Sequence, residues 1–121
     1  MKFDSLVALI YQEVPEFKVS YEGEPDENYS NSFLGDLGLF TRNAIVDKAP
    51  YAIKCLKFID DTVNKNKGDE DLVNMFVINV LEVLTDYAST QKAAITHFTG
   101  NCLKLFKELF SGGYFMDLAQ T

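Results

Sequence analysis

The chain has 121 residues, 47% of them hydrophobic and 13% aromatic, with a net charge of −7 and a pI near 4.5. That length is one domain's worth, able to bury enough surface to fold without a metal or a disulfide, and the apolar share excludes a disordered chain. The acidity excludes nucleic acid and an anionic membrane as partners, because both are polyanions, and leaves a basic partner or no charged partner at all.

Helical periodicity begins at once. Phe3, Leu6, Val7, Leu9, Ile10, Tyr11 and Val14 share one face of a helix over residues 3–14, and Pro15 ends it by disfavouring helical geometry at Val14. Residues 16–30 hold Gly23, Pro25 and several turn formers, and read as an acidic loop. A second helix opens with Ser30, Asn31 or Ser32 as its N-cap. Its stripe is Phe33, Leu37, Phe40 and Ala44, flanked by Leu34 and Ile45, and Gly35 and Gly38 predict either tight packing or a break. Pro50 suits the first turn of a third helix, from about Tyr51 to Asn64. There Tyr51, Ala52, Cys55, Leu56, Phe58, Ile59 and Val63 form the apolar arc, with Lys54, Lys57, Asp60 and Asp61 opposite.

After the polar turn NKNKGDED, Asp69 is the expected N-cap of a fourth helix, which ends near Tyr87. On a wheel of 100° per residue, Val73, Phe76, Val77, Val80, Leu81, Val83, Leu84 and Tyr87 fill one half; Asp71, Asn74, Asn79, Glu82, Thr85 and Asp86 fall in the other. Met75 and Ile78 are the apolar exceptions inside that polar half. Ser89 or Thr90 caps a fifth helix, whose face is Ala94, Ile95, Phe98, Cys102, Leu105, Phe106 and Leu109; SGG at residues 111–113 stops it ahead of a flexible tail, residues 111–121. No alternating stretch demands a strand. The expectation is an all-α single domain, a bundle or short stacked array of about five helices.

The chain offers little recognisable chemistry. His97, the single histidine, has no neighbouring ligand and is expected at the surface; Cys55 and Cys102 fall on apolar arcs as buried hydrophobes. Neither GDLG nor GDED has the spacing of a phosphate loop or a calcium loop. We therefore expect no catalytic residues, no metal and no cofactor. No segment is long and apolar enough to cross a membrane, and the N-terminus lacks the features of a signal peptide, which points to the cytoplasm with both thiols reduced.

Charge is more informative than motif. Residues 48–67 are basic on balance, whereas residues 13–36 and 69–86 are acidic. Each acidic block is either a solvated face or a platform for a cationic protein.

Three stretches carry a resemblance: EVPEF at the end of the first helix, SNSFLGDLGLF opening the second, and GDEDLVNMFVINVLEVL opening the fourth. They resemble an uncharacterised family of small acidic all-helical bacterial proteins. The correspondence falls on residues 14–17, 33–37 and 68–69, on Asn74 and on residues 81–84, and covers most of residues 3–110. Val14 stands where that pattern prefers Phe. The family in turn resembles immunity proteins of polymorphic or contact-dependent growth inhibition toxin systems, which bind one cognate toxin domain in the cytosol and block it. The resemblance implies a cationic, possibly nuclease, toxin as partner; the alternative is a non-catalytic helical adaptor without a toxin. The expected partner-binding residues are Glu22, Glu24, Asp26, Glu27 and Tyr29 of the loop, with Asp71, Met75, Ile78, Glu82 and Asp86 of the fourth helix. Oligomeric state is open.

Overall fold

A computed structural model describes residues 1–111, with side chains through residue 109; the expected flexible tail falls, from residue 112 onward, outside the described residues. Seven α-helices and no strand occur among the described residues, as the periodicity required. They are α1 (Phe3–Glu13), α2 (Pro15–Ser20), α3 (Ser30–Val46), α4 (Ala52–Lys65), α5 (Glu70–Phe76), α6 (Ala88–His97) and α7 (Gly100–Ser111).

Two of these helices correct the sequence reading. Pro15 does end α1, at Val14, but it also begins α2 as its first residue, where its missing N–H costs nothing. The region expected to be loop throughout therefore contributes Phe17 to the core. The expected fifth helix is two helices. Phe98 is extended at ψ 147° and Gly100 takes φ 51°, which turns the chain between α6 and α7. Gly100 is required twice over, since a Cβ there would also meet Asn64 Oδ1 at 3.2 Å. His97, expected at the surface, is partly exposed at the end of α6.

The fourth helix also departs from uniform geometry. After α5 the chain passes into a π-helical turn, Val77–Leu81, and then a 3₁₀ turn, Val83–Thr85. Glu82 N–H donates to Val77 O at 3.0 Å, five residues back rather than four. The inserted residue rotates everything after it, and Val83, assigned to the apolar half, is only partly buried.

α3 packs along this irregular segment and runs in the same general direction. Ser30 meets Met75, Asn31 meets Asn79, and Arg42 meets Asp86. The closest approach is at Gly38, where a Cβ would lie 2.5 Å from Asn79 O and 3.2 Å from Val80 Cα. Tight packing was expected from the two glycines of α3; Gly38 provides it, and Gly35 has nothing within 4 Å of where its Cβ would be.

The core holds Leu6, Ile10, Phe17, Phe33, Leu34, Leu37, Leu56, Ile59, Phe76, Leu81, Leu84 and Phe106, all fully or nearly fully buried. One end of it is aromatic. Phe17 sits 5.5 Å from Phe33 and 5.3 Å from Phe40, both edge-on, and Phe40 stacks on Tyr51 at 5.2 Å. The aromatic end lies where α2, α3 and the start of α4 meet.

Candidate functional site

Three helices begin at one end of the molecule. The first residues of α1 (Lys2, Phe3, Asp4), the entry to α3 (Glu27, Ser30) and the early turns of α5 (Leu72, Met75) line a common cleft of about 570 Å³. Of these three starts only that of α5 has an acidic side-chain cap. Asp26 accepts from Asn28 N at 2.9 Å and caps the short 3₁₀ turn Glu27–Tyr29 ahead of α3, while Ser30, Asn31 and Ser32, the expected caps, make no capping bond to α3. Asn31 is instead tied to Asn79 at 2.8 Å. Asp69 is the N-cap expected, accepting from Leu72 N at 3.2 Å. It also receives the Met1 amino group at 2.7 Å, which holds its carboxyl below the ordinary range.

The ten residues expected to bind a partner are distributed over this frame rather than gathered in one patch. Glu27 and Met75 line the cleft together, and Met75 Sδ lies 3.8 Å from Ser30 Oγ. Met75 is thus partly buried by the molecule itself. Tyr29, 66% exposed just before α3, and Ile78, 59% exposed in the π turn, leave large apolar surface in solvent. Asp71 is exposed on α5. Glu24 lies near Tyr11, whose phenol is pushed up by burial first and then by Tyr21 and Glu24. Glu22 faces a different groove, between α2 and α3. At the opposite end of α3, Asp86 takes a 3.0 Å ion pair with Arg42, whose guanidinium also lies 5.5 Å from the Tyr87 ring centre. Glu82 is partly buried and makes no ion pair within the described residues.

One polar constellation was absent from the sequence reading. Asp60, assigned to the solvent arc of α4, is buried. Its carboxylate accepts from Thr99 N at 2.7 Å, Thr99 Oγ1 at 2.9 Å and Asn64 Nδ2 at 3.0 Å. Asn64 Oδ1 in turn accepts from Cys102 N at 2.8 Å. Two side chains of α4 therefore satisfy the open N–H groups at the start of α7, a helix cap supplied from another helix. The signal was available: Asp60 follows Leu56 by four residues and precedes Val63 by three, the spacing of a shared helix face. These bonds tie α4 to the start of α7.

The cysteines sit where expected, both buried. Burial pushes the Cys55 thiol up to about 11, and burial followed by the nearby Asp60 carboxylate pushes Cys102 higher still. Neither is an activated nucleophile. No group of three or more His, Cys, Asp and Glu that could hold a metal occurs among the described residues, and none of the described helices is long and apolar enough to cross a membrane.

The described residues thus form an all-α domain. A family model described as a domain of unknown function, DUF7674, matches residues 7–112, and the chain belongs to that family. No curated protein and no solved structure matches it.

Proposed function

We propose that this chain is a binding protein that captures a basic protein partner, and that it acts in the cytoplasm as an immunity protein, neutralising a cognate cationic toxin domain. The observation that carries the reading is that Tyr29 and Ile78 leave large apolar side chains exposed on a chain of net charge −7. Large apolar side chains at an acidic surface serve as anchors, while the charge speeds encounter with a cationic protein and selects against anionic ones. The net charge of −7 extends the same preference over the whole molecule.

The test is protection and binding together. The full chain is co-expressed with toxin domains encoded beside genes of this family, and survival is scored. Purified pairs are then measured by calorimetry in low and high salt. The proposal expects survival with one cognate toxin and binding that weakens as salt rises. The Ile78→Asp variant should bind at least about tenfold more weakly, as a central anchor would. Absence of protection with every adjacent toxin, combined with capture of only neutral or acidic proteins, would sink it.

A further inference from the structure

The groove between α2 and α3 is built from two helical stripes. Phe17, Ser20 and Tyr21 come from α2; Asp36, Leu39, Phe40 and Asn43 come from α3, spaced as a single face; Glu22 closes the end. It encloses about 330 Å³. Its floor is part of the aromatic cluster: Tyr21 and Phe40 are half-buried, and Phe17 beneath them is fully buried. Phe40 stacks on Tyr51 at 5.2 Å, and Tyr21 lies edge-on to Phe33 at 5.0 Å, so both rings are held in the aromatic cluster. Leu39, 41% exposed, forms one apolar wall.

The polar rim carries one sign of charge. Its only ionisable carboxylates are Glu22 and Asp36, both exposed, and neither makes an ion pair or side-chain hydrogen bond within the described residues. Elsewhere Glu16, Asp26, Asp60, Asp69 and Asp86 are engaged by the fold. No lysine or arginine lines the groove. Lys18, on the same helix, is directed over the Tyr11 ring at 5.6 Å. Asn43 adds an exposed amide at the far end.

We propose that this groove receives an arginine side chain of the protein partner. A planar guanidinium stacks on an aromatic floor while its fork of N–H donors reaches carboxylates at the edge; a compact ammonium satisfies only the charge. Glu22 and Asp36 are the acceptors, Tyr21 and Phe40 the stacking surface, and Asn43 Oδ1 a further acceptor. The inference rests on the reading that the partner is a basic protein, and it names the contact through which that partner is held.

The groove can be tested without the partner. The ¹⁵N-labelled full chain is titrated with N-acetylarginine amide, and separately with N-acetylcitrulline amide, which has the same shape without the charge. The expected result is saturable shifts at Tyr21, Leu39 and the Asn43 side chain. These should be weaker by about fivefold or more with citrulline, and likewise in the Glu22→Gln/Asp36→Asn double variant. Both substitutions are at exposed positions, and an unchanged melting temperature verifies that the variant is folded. Equal shifts from the two probes, or shifts confined to other residues, would overturn the groove. So would a basic partner that binds the double variant as tightly as the unchanged chain, an outcome that leaves the proposed function standing. Arginine binding in the groove, with no basic protein captured, would instead retain the groove and remove the proposed function.

Discussion

Adding one methyl group at Gly38 tests the packing of α3 against the π turn. In an open helix interior Gly→Ala stabilises by about 1 kcal/mol, through the backbone freedom it removes from the unfolded chain. At Gly38 the new Cβ would stand 2.5 Å from Asn79 O, 3.2 Å from Val80 Cα and 3.5 Å from Asn79 C. All three are backbone atoms and cannot rotate away, so α3 and the π turn must separate by the better part of an ångström. Overpacking of that kind costs about 1–3 kcal/mol, and more where backbone must shift. The clash outweighs the propensity gain, leaving a net loss of about 1–2 kcal/mol. Gly35→Ala is the internal control, on the same helix three residues earlier, where nothing lies within 4 Å. It should gain about 0.5–1 kcal/mol. Urea unfolding followed by circular dichroism measures both. In a domain of this size the two variants should differ in melting temperature by roughly 10 °C. If they shift in the same direction by similar amounts, the close approach of α3 to the π turn is not what constrains Gly38.

Three further outcomes follow from the geometry. Asp60→Ala leaves Thr99 N–H without its acceptor at the start of α7 and should cost about 2–4 kcal/mol, while Asp60→Asn, which keeps one acceptor oxygen, should cost less; equal losses in urea unfolding would contradict the trans cap. Cys55 in the fold titrates at about 11, above the ordinary 9.0. Its neutral form is the favoured one, so its contribution to stability is complete below pH 9 and is lost as pH rises from 9 through 11. Native chain at pH 8 should accordingly resist iodoacetamide at both thiols until it unfolds, and rapid stoichiometric labelling would refute that burial. Finally, Glu82→Lys should leave stability nearly unchanged, whereas Asp86→Lys sets a cation against Arg42 and should cost about 1 kcal/mol. A binding defect from the second variant alone would therefore not locate an interface.

What the sequence revealed depended on how local the cause was. The stripe of α3, the arc of α4 and the Asp69 cap all follow from spacing within one helix, and each is where the spacing put it. The π turn does not follow from spacing. Its register change coincides with the contact at Gly38, some forty positions earlier in the chain, and a uniform wheel has no means of representing it. Pro15 was read as a stop because it cannot continue a helix, yet the same residue is well suited to begin one, and Phe17 shows which role prevailed. Thr99 and Gly100 together resemble a helix start, but the apolar rhythm through Phe98 and Cys102 masks the interruption. Of the expected interface residues, Tyr29 and Ile78 are exposed, and Met75 is partly buried in the cleft beside Ser30 and the start of α1. The groove holding Glu22 and Asp36 required α2, which had been assigned to loop, so that surface was not visible before the fold.

The convergence of three helix starts divides the negative charge of this protein into two populations. Helix N-termini carry partial positive charge, which Asp4 answers in the first turn of α1 and Asp69, Glu70 and Asp71 answer at the start of α5. To an approaching protein these residues look less acidic than their number implies, because the backbone behind them offsets part of their field. Carboxylates away from any helix start, Glu22 and Asp36 among them, project their charge undiminished.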